Sequence, residues 1–380
     1  MKALWGLALG NFAVGTGALV VAGVLPDIAR DLGVPDARSG HLISLYAIAY
    51  ALGAPLLGSL TGGFDRRRLL VGAAALIAVA NIVAALAASF DLLLFARIAS
   101  ALGAAIFSPI GAAVASTLVP PERVARALSL VFGGFVVATV LGVPLGTWLG
   151  GNFGWPVTFW FVAALAAGAT ISALVTVPKG LKARGAGFRP LFAVLKNHRM
   201  VLALSVGVGH MACQFIPYTF IALILSQRSN ADTNDITVVL LLFGLFSFIG
   251  NIVGGRITDR FGTTVTILGG LFTLPVIFAA FDLLDTGVIA ACIMLSVWGA
   301  AGFSFAVAQQ ARLVGLAPEQ SSTALSLHAS SMYLGQALGA LVGAQVLRGM
   351  DLYALQWFAL AGALLTLTLF LISRRQWRGR

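Results

Sequence analysis

Pro121-Glu122-Arg123-Val124-Ala125-Arg126-Ala127-Leu128-Ser129-Leu130 returns as Pro318-Glu319-Gln320-Ser321-Ser322-Thr323-Ala324-Leu325-Ser326-Leu327, an offset of 197 residues. The same offset carries Gly10 onto Gly207, Gly53 onto Gly250, Gly58 onto Gly255, Phe64 onto Phe261, Gly72 onto Gly269, Gly142 onto Gly339 and Gly146 onto Gly343. One glycine match means nothing in a chain with 44 glycines. One register held from the first apolar segment to the fifth marks an internal duplication.

The solvent of this duplicated chain is a bilayer. Of 380 residues, 59% are hydrophobic and 10% charged, whereas soluble domains carry about 25% charged residues. Apolar runs of about 20 residues, enough to cross about 30 Å of hydrocarbon, recur throughout. They are read at Leu4–Leu25, Leu42–Gly63, Leu69–Ala88, Leu92–Val119, Ala127–Leu149 and Val157–Val177, then Met200–Leu225, Ile236–Ile257, Thr264–Phe281, Val288–Leu313, Ser322–Val346 and Leu352–Ile372. We number them spans 1 to 12. Their periodicity is helical, with no alternating strands of a barrel. The fold class expected is an all-α membrane protein: an N-terminal six-helix bundle over residues 1–177, a basic cytoplasmic linker over 178–199, and a C-terminal six-helix bundle over 200–380.

Charge sets the orientation. With both termini inside, nineteen Lys and Arg residues fall in the cytoplasm, among them Arg66, Arg260 and Arg312, against four outside: Arg30, Arg38, Arg228 and Arg348. That is a strong positive-inside bias. The net charge of +11 is scattered between apolar runs and forms no nucleic-acid-binding stripe. Cys213 and Cys292 lie in apolar segments and read as small packing residues, with neither a disulfide framework nor a metal cluster. No cofactor motif appears. An intramembrane enzyme would need an H-E-x-x-H, a G-x-S-x-G or paired buried carboxylates, and none is present.

Charges and polar groups inside spans mark candidate sites, because burying them in hydrocarbon is costly. Arg97 in span 4 is one. In span 7, His210, Gln214 and Tyr218 fall at i, i+4 and i+8 and form one polar stripe. Asn11, His328 and Gln336 are further polar residues within spans. Such groups suit a cavity wall or ordinary interhelical hydrogen bonds. Asp27, placed just past the outer end of span 1, His210 and His328 are the titratable groups at or inside spans that could take up and release a proton, with Asp27 able to pair with Arg97 if their depths match.

Two motifs identify a family. Gly255-Arg256-Ile257-Thr258-Asp259-Arg260-Phe261-Gly262 runs out of the end of span 8 into the next loop, and a degraded copy, Gly58 with Gly62, Gly63 and then Asp65-Arg66-Arg67-Arg68, runs out of the end of span 2. In span 5, Gly142-Val143-Pro144-Leu145-Gly146-Thr147 is followed by Gly154-Trp155. Over essentially its full length the chain resembles the major facilitator superfamily, in particular the drug:proton antiporter branch with its sugar, nucleoside and drug efflux proteins. The resemblance implies a charge latch at Gly58, Asp65, Arg66, Gly255, Asp259 and Arg260, and an exporter motif at Gly142, Pro144 and Gly146. It matches Arg97 to the family's span 4 arginine. It also places a substrate cavity among spans 1, 4, 7 and 10, lined by Asn11, Arg97, Phe107, His210, Gln214, Tyr218, Trp298, Phe303 and Gln336. The function implied is proton-coupled export of small amphipathic or weakly polar organic molecules across a bacterial inner membrane, by a monomer whose partners are substrate, protons and lipid. An importer or uniporter on the same scaffold is the alternative.

Overall fold

The computed structural model describes residues 1–61, 63–181 and 194–378; Gly62, the linker residues Lys182, Arg184 and Arg189, and Arg380 lie outside the described residues. Among the described residues there is no β-strand. Nine helices of the described residues are long and apolar enough to cross a membrane: Asp36–Leu60, Arg66–Ala85, Phe90–Thr117, Arg126–Phe153, Trp155–Thr176, His198–Tyr218, Thr233–Phe261, Val288–Leu316 and Ala354–Arg375, which are spans 2 to 8, 10 and 12. Span 1 is a bent pair, Lys2–Leu19 and Val21–Asp31, at 48° to one another. Span 9, Thr263–Ala279, is short at 17 residues. Span 11, Ser321–Gly349, has the length but carries His328, Ser330, Ser331 and Gln336 along it.

The breaks have chemical causes. Span 1 runs past the end expected for it, so Asp27 sits inside the helix Val21–Asp31 and not beyond a helix end. In span 5, Pro144 has no N–H to give the carbonyl one turn back. The turn before it, Ala138–Gly142, accordingly widens into π-helix before Val143–Phe153 resumes. Gly154 then reverses the chain into span 6 in a single residue at φ 89°, in the left-handed region that glycine adopts without strain.

The chain divides into two compact units, Met1–Pro35 with Leu45–Gly187, and Asp36–Ser44 with Phe188–Arg380. In unit 1, span 1 packs on spans 5 and 6, and span 3 packs on spans 4 and 6. In unit 2, span 7 packs on spans 11 and 12, and span 9 packs on spans 10 and 12. The pairings repeat as the sequence does. The sequence reading did not foresee that Asp36–Ser44 groups with unit 2, where Gly40 lies against Phe220 and Ala344 and His41 Nε2 is 3.2 Å from the Arg348 guanidinium.

Small residues set the closest pairings. Gly134, Ala138, Gly142, Gly146 and Gly150 recur every fourth position along span 5. A Cβ added at Gly134 would overlap the Ala8 carbonyl of span 1, and one at Gly142, Gly146 or Gly150 would overlap Thr16, Val20 or Val24. In unit 2, Gly335, Gly339 and Gly343 of span 11 press against the carbonyls of Val208, Ala212 and Ile216 of span 7. These are the positions reached from Ala138, Gly142 and Gly146 by the sequence offset. Without a hydrophobic drive between helices in lipid, such close backbone approach supplies the packing.

Gly207 lies on the same face of span 7, but a Cβ there would meet Ser331 and His328 only at ordinary contact distances of 3.4 and 3.7 Å. Gly339→Val is therefore expected to cost about 1–3 kcal/mol and to lower the thermal midpoint of the purified protein, while Gly207→Ala stays near the parent. Equal midpoints for the two variants would show that the close approach is absent.

Candidate functional site

Unit 1 carries a buried polar seam across spans 1, 2 and 4. Ser108 of span 4 donates to Asn11 Oδ1 of span 1 at 2.7 Å, and Ser108 is also hydrogen-bonded to the Tyr50 side chain of span 2. Farther along span 4, the guanidinium of Arg97, 1% exposed, donates to the Gly17 carbonyl at 2.5 Å and lies 4.2 Å over the ring of Tyr46. A cation over an aromatic face is worth up to about 2 kcal/mol once desolvated. Arg97 is thus buried between a carbonyl of span 1 and a ring of span 2. Tyr46 and Tyr50 escaped the sequence reading. Their signal was present: two of only five tyrosines in the chain, one helical turn apart on an apolar span.

Phe107 and Asp27 take other roles. The Phe107 ring fills the space left by the missing side chain of Gly10, so it fastens span 4 to span 1. Asp27 is met by Arg30, three residues along the same helix, and not by Arg97. The side chain of Asp27 is 32% exposed, and a partner on its own helix is nearer than one across a helix pair.

In unit 2 the span 7 stripe stays together and faces span 10. The His210 ring stacks on Phe305 at 3.6 Å, and its Nε2 is 3.3 Å from the Gly302 carbonyl. Gln214 donates to the His210 carbonyl at 3.1 Å and accepts from the Trp298 indole N–H at 2.8 Å. Trp298 is wholly buried and ringed edge-on by Tyr218, Phe243, Phe278 and Phe281, with centroids 5.4 to 6.1 Å away. Tyr218 and Trp298 therefore belong to one aromatic core. Phe303 is half-buried and stands apart from it. Among the described residues, the buried groups left without a hydrogen-bond partner in this unit include His210 Nδ1, both ring nitrogens of His328, and Gln336 Nε2. His328 lies on span 11 against Gly207, close enough to His210 for their charges to interact.

A family model described as the Major Facilitator Superfamily matches residues 7–340. The chain belongs to this superfamily. It is 34% identical over 380 residues to the inner membrane transport protein YdhP of Escherichia coli K12, covering 98% of this chain and 96% of that one. It is 35% identical over 348 residues to a chloramphenicol resistance protein of Streptomyces lividans, covering 90% and 88%. Among solved structures it superposes on a mutant of the nucleoside transporter NupG, with TM-score 0.81, 15% identity and 98% coverage of both chains. It also superposes on a bacterial homologue of the human lysosomal transporter Spinster, inward-facing and occupied, with TM-score 0.75, 16% identity and coverage of 98% and 96%. The protein is a multi-pass membrane transporter of the major facilitator fold.

The superfamily's two loop motifs differ in their surroundings. In the last turn of span 8, which runs on through the motif expected in a loop, Asp259 and Arg260 are both exposed, and the Arg260 guanidinium lies 5.2 Å over the ring of Phe261. After span 2, Asp65 caps span 3, accepting from Arg68 N at 3.0 Å, and also accepts from Gly180 N at 2.7 Å. Arg66 N donates to the Leu181 carbonyl at 2.9 Å, and the Arg67 side chain donates to the Leu174 carbonyl. The displaced acid thus ties the start of span 3 to the chain leaving span 6. The backbone N–H of Arg68 chiefly, then that of Gly180, holds the Asp65 carboxyl below its ordinary range against partial desolvation.

A carboxyl lowered by folding stabilises above its unfolded pKa of about 3.9 and loses that contribution as pH falls through its folded value. Asp65→Ala should therefore melt below the parent at pH 7, with the gap closing as the medium is acidified below about pH 4. A gap that does not change with pH would contradict the staple.

Proposed function

We propose that this transporter is a proton-coupled exporter of small amphipathic or weakly polar organic molecules, lying in a bacterial inner membrane with both termini in the cytoplasm and working as a monomer by alternating access. The observation that carries export is the 35% identity, over 90% of the chain, to a chloramphenicol resistance protein. Supporting it is span 5, where Gly142 and Gly146, beside Pro144, let a helix widened by a π-turn lie against span 1. The inner-membrane setting follows the relationship to YdhP, and the orientation follows the excess of basic residues on one side.

The substrate class rests on chemistry inside the spans. Unit 1 offers neutral donors and acceptors at Asn11, Tyr50 and Ser108 beside a single cation, Arg97, and unit 2 offers aromatic faces with the amide of Gln214. A ligand with an apolar body and one or two hydrogen-bonding groups suits both.

For the proton we favour His328. It is 3% exposed in a spanning helix with both ring nitrogens unpartnered, so it can gain or lose a proton without breaking a hydrogen bond. Asp27 is second, being engaged by Arg30. In sealed proteoliposomes the wild type should move protons on substrate addition and accumulate substrate against an opposing pH gradient. His328→Gln should retain substrate exchange but lose gradient-driven accumulation at least tenfold, while Asp27→Asn stays coupled. The reverse pattern assigns the proton to Asp27, and accumulation that ignores the gradient in the wild type refutes coupling.

A further inference from the structure

Unit 2 buries two arginines and treats them differently. Arg228, ending the short helix Ile221–Arg228, is fully engaged. It donates to Asp285 at 2.8 and 3.1 Å, to Asp282 at 3.0 Å, to the Phe281 carbonyl at 3.2 Å and to Gln356 at 2.9 Å, and stands 4.2 Å over the Tyr353 ring. Arg312 of span 10 is 3% exposed and far less complete. Its Nη2 donates to Ser373 Oγ of span 12 at 2.5 Å and its guanidinium stands 5.0 Å over the Phe370 ring, but Nη1 has no partner. Among the described residues no carboxylate forms an ion pair with it. The charge count places Arg312 on the cytoplasmic side; the structure buries it within span 10.

A buried guanidinium with an open donor edge is costly unless an anion completes it. Its depth says where that anion comes from. Span 10 has 29 residues, about 43 Å at 1.5 Å per residue, and overreaches about 30 Å of hydrocarbon. Arg312 lies four residues before the Leu316 end, about 6 Å of rise, and so falls in the headgroup layer. Ser373 is followed on span 12 by Arg374 and Arg375, which add positive charge at the same end of the helix. Arginine's planar fork suits a phosphate's paired oxygens, and basic groups between spans at the cytoplasmic face are where lipid phosphates bind.

We propose that Arg312 and Ser373 form a binding site for a phosphate group between the inner ends of spans 10 and 12. The phosphate belongs either to an anionic lipid or to free inorganic phosphate, and the cation is thereby completed from outside the chain where Arg228 is completed from within it.

The test uses the purified, delipidated full chain in neutral detergent, with thermal midpoints read against added phosphatidylglycerol, inorganic phosphate, or sodium chloride at matched ionic strength. Phosphatidylglycerol should raise the wild-type midpoint saturably where chloride does not. Arg312→Gln should weaken that response at least tenfold, and Arg256→Gln, removing an exposed cation elsewhere in the unit, should leave it intact. An equal, Arg312-dependent response to inorganic phosphate assigns the site to the free ion. No response to either additive, or one unchanged in Arg312→Gln, overturns the proposal. Should Arg312→Gln fail to fold, Ser373→Ala keeps the cation and should weaken the same response several-fold; an unchanged response in that variant overturns it equally.

Discussion

In hydrocarbon, two helices gain nothing by hiding apolar surface from each other, so what joins them is contact between backbones and the few polar groups they share. That constraint decides where this chain has no side chains. The fourfold repeat of small residues on span 5 lets it lie against span 1, and the equivalent repeat on span 11 lets it lie against span 7. Any Cβ at Gly134, Gly335, Gly339 or Gly343 would fall on a neighbouring carbonyl, so these positions fix both the distance and the register of their helix pairs. The duplication seen in the letters is a duplication of this contact.

The polar groups are tolerated because of that packing. Asn11, Tyr50 and Ser108 satisfy one another across three spans, and Arg97 leans on a tyrosine ring and a carbonyl, so the first unit carries polarity without exposing it to lipid. The second unit follows another plan. An aromatic core around Trp298 holds the stripe of His210 and Gln214 in place, while His328 and Gln336 keep unmade hydrogen bonds. Groups with unmade bonds inside a membrane are the ones free to meet a proton, a water or a substrate.

What the sequence made legible was what the bilayer imposes on every segment separately: the length of the spans, their helical period and their repetition. The i, i+4, i+8 stripe of span 7 was legible for the same reason, since a helix alone puts those residues on one face. The bend in span 1 and the helical setting of Asp27 were not, because a proline in the middle of a short second helix looks, in letters, like the end of the first. Tyr46, Tyr50, Arg228 and Arg312 depend on which partner arrives from far along the chain. Nothing local distinguishes an arginine that finds two carboxylates, as Arg228 does, from one that finds a hydroxyl and a ring, as Arg312 does. Asp65 shows the limit of motif reading: displaced from its usual place, the acid serves a helix cap and a backbone staple.

Small-residue contacts lock helix pairs, so that each pair moves as one piece while the transporter works. Spin labels on Val201 of span 7 and Leu334 of span 11, which are 39% and 43% exposed, would read that pair directly. Their distance distribution should be narrow and unchanged by pH or by a transported substrate. A shift of several ångströms, or a second population on either addition, would contradict the account.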